Sequence, residues 1–168
     1  MDIRLFGTVE DSIVDGPGLR FSVFTQGCPH HCPGCHNPES HDFAGGKIVD
    51  TAEVIHLMQR NPLLDGLTLS GGEPFCQPEA CLELAQAAHA RGLNVWSYTG
   101  YTWEAILADN NPARMALLHA LDVLVDGPFI LAQRSLALKF CGSKNQRLID
   151  VKRSFEAGEV VLWTPPAW

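Results

Sequence analysis

"LRFSVFTQGCPHHCPGCHN", Leu19 to Asn37, decides how the rest of the chain is read. Its first eight residues are dominated by apolar and β-branched side chains, which predicts a strand ending at Gly27. That strand runs straight into Cys28, Cys32 and Cys35, so the cysteines sit on the loop that follows it. CxxxCxxC is too compact for two opposed zinc-binding pairs and suits a loop wrapped round one face of a cubic iron–sulfur cluster. Three thiolates leave one iron without a protein ligand, and an open position is what a metal centre needs to bind a substrate. On these residues alone a Cys3His zinc site also stays open, with His30, His31, His36 or His41 as the fourth ligand.

Moving outward, short apolar runs alternate with helical patterns, the rhythm of βα units and a mostly parallel sheet. Asp50 and Glu53 read as a capping box for a helix over "TAEVIHLMQR", which Asn61-Pro62 ends. "GLTLS" is a second strand, leading into "GGEPF". Pro78 opens a helix in which Ala80, Cys81, Leu84, Ala85 and Ala88 recur at helical spacing until Gly92. "LNVWSYTG" is a third strand, Thr102-Trp103 and Asn111-Pro112 begin two short helices, and "LDVLVDG" is a fourth strand. "SLALKFCGSKNQRLIDV" mixes apolar and polar residues without a clear period, and "EVVLW" reads as a last strand or an edge. Three of the loops at the carboxyl ends of the strands carry "GCPHHCPGC", "SGGEPF" and "SYTGY", and in parallel α/β architectures chemistry gathers on those loops. Glycines in the second allow a close backbone approach, and Glu73 can accept a hydrogen bond from an ammonium group.

The chain of 168 residues has the composition of one ordinary globular domain, residues 1–168. A formal charge of -7 without a basic stripe argues against nucleic acid as a partner. No apolar run approaches the length of a membrane span and no leader pattern opens the chain, so a cytoplasmic setting with reduced thiols is expected. Cys76, Cys81 and Cys141 lie outside the cluster and are expected to be small buried hydrophobes.

CxxxCxxC after the first strand with GGEP after the second resembles the radical S-adenosylmethionine (radical SAM) superfamily. "DGPGLR", "GCPHHCPGCHNPES", "LSGGEPF", "WSYTGYT" and "VLVDGPF…GSKNQR" are similar, in the same order, to the activating proteins of anaerobic (class III) ribonucleotide reductase, from about residue 5 to 150. The resemblance implies a partial (βα)6-type barrel of mostly parallel strands, the radical SAM fold. It implies that Cys28, Cys32 and Cys35 hold three irons of a 4Fe-4S cluster whose fourth iron is chelated by S-adenosylmethionine (SAM). One electron then cleaves SAM to a 5′-deoxyadenosyl radical, which takes hydrogen from a glycine Cα of the reductase. Gly34, Cys35 and His36 match the segment that passes the adenine, although the aromatic residue that many members have before the third cysteine is Gly34 here. Gly71, Gly72 and Glu73 match the segment facing the methionyl amino group, and Ser97, Tyr98 and Thr99 are candidates for ribose or carboxylate contacts. Asp15, Arg20 and Asp126 are candidates for the glycyl-peptide groove, against the plainer readings of Asp15 and Arg20 as a surface ion pair beside a Gly-Pro turn and of Asp126 as the cap of a turn. The polar loop Gly142 to Arg147 either contacts a ligand or the reductase, or is simply solvated. Flavodoxin is the electron donor that the resemblance suggests. The alternatives are an activase of another glycyl-radical enzyme, such as pyruvate formate-lyase, a zinc-binding interaction module, or an iron–sulfur electron carrier.

Overall fold

Four β-branched, glycine-bounded runs form the parallel heart of one seven-stranded sheet. They are β2 (Arg20–Thr25), β4 (Gly66–Gly71), β5 (Asn94–Tyr98) and β6 (Val123–Asp126), paired in that order. The computed structural model describes residues 1–35, 38–135 and 137–165. Three further strands complete the sheet with antiparallel pairings. β1 (Asp2–Ser12) lies between β2 and the edge strand β3 (Lys47–Asp50), and β7 (Arg147–Asp150) pairs with β6 at the other edge. β3 and β7 do not pair with each other, so the sheet stays open. "EVVLW" contributes only a bridge from Leu162 to Ile149 on β7.

All five helices pack their apolar residues into one core on one face of this sheet, which is how the outer wall of a partial barrel is built. α1 (Thr51–Gln59) supplies Val54 and Met58, and α2 (Pro78–Ala90) supplies the Ala80, Cys81, Leu84, Ala85 and Ala88 stripe that its spacing predicted. α3 (Trp103–Asp109) adds Trp103 and Ile106, α4 (Pro112–His119) adds Leu117 and Leu118, and α5 (Val151–Ala157) adds Val151. The side chains of Asp50, Thr102, Asn111 and Asp150 accept hydrogen bonds from first-turn N–H groups, so four of the helix starts are satisfied locally.

Strand alternation sends the neighbouring residues to the opposite face. Val95 and Leu124 join the helix-side core, whereas Trp96, Val123 and Val125 form a second cluster with Phe140, Leu148 and Trp163. On β2 and β4 the same face is polar. Arg20, Ser22 and Thr68 are fully buried there. The Arg20 guanidinium donates to Thr68 Oγ1 at 2.7 Å, Pro17 O at 2.9 Å and Leu67 O at 3.0 Å, and lies over the Trp96 ring. This corrects the expectation that Arg20 is available to a partner or to a surface ion pair. Pro17 of the preceding turn and Leu67 on β4 supply the carbonyls that hold the charge inside, and burial pulls its pKa down to about 10. No helix among the described residues is long and apolar enough to cross a membrane.

Leu84 is wholly enclosed on α2, whereas Leu63 is 74% exposed. Leu84→Ala is expected to destabilise the fold by about 2–5 kcal/mol, and Leu63→Ala by no more than about 0.5 kcal/mol, in urea denaturation.

Candidate active site

Where β2, β4 and β5 end, their loops meet around a cavity of about 500 Å³. Cys28, Cys32 and Cys35 line one side of it, Gly71 and Gly72 another, and Tyr98, Thr99 and Gly100 a third. The segment after β6 closes the cavity with Phe129, Leu138, Phe140, Cys141 and Gln146, while Val14 and Asp15 stand at the β1–β2 turn. Three motifs far apart in sequence thus become neighbours in space, because parallel strands place their carboxyl ends at one rim.

The glycine pair at the end of β4 lines the cavity and also brings backbone against backbone. Gly71 has φ +87, and a Cβ there would lie 2.5 Å from the Thr25 backbone nitrogen. A Cβ on Gly72 would lie 2.4 Å from the Gly27 carbonyl oxygen. Gly72 N donates to Thr25 O at 2.7 Å and Glu73 N to Gly27 O at 2.8 Å. The pair therefore lets the second loop press directly on the cysteine loop.

Glu73 stands behind the cavity wall, fully buried. Its carboxylate accepts from His30 Nε2 at 2.6 Å, Gly100 N at 2.8 Å, Phe75 N at 3.0 Å, and the Thr99 hydroxyl at 2.9 and 3.0 Å from its two oxygens. One carboxylate so collects donors from all three loops. Sequence reasoning singled out Glu73 and Thr99, named His30 among the possible zinc ligands without tying it to a partner, and passed over Gly100. The signal for Gly100 was its place in "SYTGY", on the third loop.

The cysteines differ in setting. Burial pushes the Cys28 thiol up to about 11, partly opposed by the backbone N–H groups of His30 and His31. Cys32 and Cys35 are half-exposed, and Cys35 N donates to Cys32 O at 3.1 Å in a tight turn. Of the other cysteines, Cys81 is buried in the core as expected, Cys76 is half-buried beside the second loop, and Cys141 lines the cavity. Burial also raises the Tyr98 phenol well above its ordinary value, so it remains a neutral donor at physiological pH.

The remaining expected residues fall on several sides of the site. Gly34 has φ +74 and packs under Leu131, Ser97 is buried with its hydroxyl donating to Tyr98 O, and His36 lies outside the described residues. The Asp15 carboxylate accepts from the Ser12 and Ser22 hydroxyls at 2.6 and 2.9 Å at the cavity edge. Asp126, expected to face a partner, is 1% exposed and accepts from Trp103 N and the Arg147 guanidinium. It caps α3 and ties β7 to β6. In the Gly142 to Arg147 loop, Gln146 donates to Gly127 O and Asn145 to Pro128 O, so the loop is pinned to the turn after β6.

The comparisons with known proteins agree with this arrangement. The 4Fe-4S single cluster domain family matches residues 14–149. The anaerobic ribonucleoside-triphosphate reductase-activating protein of Vibrio cholerae is 35% identical over 80% of this chain and 89% of its own length, and that of Escherichia coli K12 is 33% identical over 80% and 90%. The chain belongs to the radical SAM activating-protein family. A pyruvate formate-lyase-activating enzyme of Clostridium pasteurianum is 35% identical over 71% of this chain and 54% of its own length. The fold is like that of QueE from Escherichia coli, with a TM-score of 0.51 at 16% identity over 61% of this chain and 54% of that one.

Membership in the radical SAM activating-protein family implies a 4Fe-4S cluster and SAM as cofactors, and the donor set suits them. Three thiols border one cavity, and a 4Fe-4S cluster takes thiolates one to an iron, so three of them leave one iron open to a further ligand.

Gly71→Ala and Gly92→Ala both place a side chain at positive φ, but only the Gly71 methyl meets neighbouring atoms within 4 Å. Gly92→Ala is expected to destabilise by about 1–2 kcal/mol. Gly71→Ala should exceed it by at least about 1–3 kcal/mol in thermal or urea unfolding, because backbone rather than a side chain is in the way.

Proposed function

We propose that this chain, acting as one radical SAM domain over residues 1–168, is the activase that installs a glycyl radical on an anaerobic ribonucleotide reductase. The observation that carries the proposal is the meeting of the cysteine loop with the two following βα loops at one cavity, in a chain whose relatives are activating proteins of that reductase. Cys28, Cys32 and Cys35 are the residues that would hold the cluster. Gly71, Gly72, Tyr98 and Thr99 would form the wall toward SAM, with Glu73 holding that wall from behind and Gly34, His36 and Ser97 as lesser members of the set. When bound, cluster and SAM supply a one-electron reductive cleavage whose 5′-deoxyadenosyl radical abstracts a hydrogen atom from a glycine Cα.

The chain's own part is to orient and enclose. Phe24, Phe129, Leu138 and Phe140 give the cavity apolar walls that limit water around a reactive species. Tyr98 supplies a neutral hydroxyl among them. A glycine-bearing peptide has a way in past Val14 and Asp15, where Val14 is exposed beside the cavity. The reading includes a low-potential electron donor of the flavodoxin type and a cytoplasmic setting, where thiols stay reduced. The acidic balance of the chain is consistent with a protein partner rather than nucleic acid. A second reading, activation of a pyruvate formate-lyase, is favoured by the similarity to the activating enzyme from Clostridium pasteurianum.

Anaerobic reconstitution is expected to give a brown protein with about four irons per chain, which after reduction cleaves SAM to methionine and 5′-deoxyadenosine. Cys32→Ala should lose both cluster and cleavage. Mixed with reduced protein and SAM, the anaerobic reductase should develop a glycyl-radical signal in electron paramagnetic resonance. A signal with pyruvate formate-lyase and none with the reductase would select the second reading, and a colourless protein with stoichiometric zinc would defeat both.

A further inference from the structure

His30 lies between Cys28 and Cys32 in the chain and lines the same cavity, and its side chain sits in a slot made by other loops. Nε2 is 2.6 Å from Glu73 Oε1, a carboxylate with no exposure to solvent. Its ring meets the Tyr101 ring edge-on, with centroids 4.6 Å apart. The third side of the slot is Gly100, where a Cβ would come within 2.3 Å of the His30 ring. Gly100 has no positive φ, so what that position excludes is the side chain and not a backbone conformation. Gly100 N also donates to the same Glu73 oxygen that faces His30. The slot is thus shaped for an imidazole, and the imidazole joins the cysteine loop to both neighbouring loops.

His30 is two residues from Cys28 and two from Cys32, so a side chain that fixes it also restrains the backbone carrying both thiols. Groups behind the ligands of a metal centre orient those ligands, and the shape of this backbone decides where the sulfur atoms stand.

We propose that His30 is a positioning residue whose latch to Glu73, in the slot left by Gly100, holds the cysteine loop in the shape that presents the Cys28 and Cys32 thiols to the cluster. The effect on the cluster rests on the cluster assignment made above, whereas the latch itself does not. Two measurements keep them apart. On the metal-free chain, hydrogen–deuterium exchange of the amides of residues 27–35 should speed up on the order of tenfold in His30→Ala, because the loop loses a hydrogen bond to a buried carboxylate. His30→Gln, which places an amide N–H near the Nε2 position, should restore most of the protection. Unchanged exchange in His30→Ala overturns the latch whatever the metal content of the wild type.

On the reconstituted protein, His30→Ala is expected to lose its cluster to a chelator on the order of tenfold faster than wild type, followed by bleaching of the visible absorbance, with His30→Gln close to wild type. Equal rates in all three overturn the positioning role, as does His30→Gln behaving like His30→Ala, which would make ring volume the relevant property. Should His30→Ala fail to load a cluster, Gly100→Ala decides. It keeps every residue of the cysteine loop and displaces the ring, so faster cluster loss supports the proposal and a wild-type rate defeats it.

Discussion

The site depends on one buried carboxylate. Glu73 is removed from water, and an isolated carboxylate in such a place would be strongly disfavoured. What makes it tolerable is a complete set of donors drawn from the cysteine loop, from its own loop and from the loop after β5. Those donors are forty-three, two and twenty-six or twenty-seven residues away along the chain, so satisfying the charge and assembling the three loops are a single event. A half-made version would leave a buried anion short of partners, which gives the arrangement its all-or-none character.

Two constraints of a different kind sharpen it. Glycines at 71 and 72 let backbone meet backbone, and Gly100 makes room for a ring. On the inner face Arg20 plays a parallel part, its guanidinium saturated by two carbonyls and a threonine so that the turn leading into β2 has a fixed shape. Both buried charges brace loops and neither reaches into the cavity. The apolar alternation of β5 and β6 then divides the sheet into a helix-covered side and an inner side, and the cavity opens at the end of the inner side.

Much of this was legible in the sequence. The four parallel strands announce themselves because each is a short run with apolar or β-branched residues on at least one face, bounded by glycine or proline. The α2 stripe was readable for the corresponding helical reason. β1 was not, since "DIRLFGTVEDS" mixes charges with apolar residues as a partly exposed antiparallel strand does, and its irregular pairing blurs the alternation. β3 and β7 are four residues each, too short to show a period. At the site, CxxxCxxC and GGEP were readable because spacing is a local property. The inward turn of Arg20, the burial of Asp126 and the commitment of His30 to Glu73 were not, because they follow from which distant atoms are near. Composition says what a side chain can do, and only the fold says which way it faces.

The close fit at Gly71, Gly72 and Gly100 also bears on how separable the motif is. The eight residues from Cys28 to Cys35 contain every proposed cluster thiol, and it is tempting to regard them as a portable cassette. Yet the segment's shape is imposed by a carboxylate and by three missing side chains that belong to other parts of the chain. Grafted onto a foreign scaffold, it would bring the sulfur atoms without the mould that arranges them. The transplantable unit is the trio of loops on their three adjacent parallel strands.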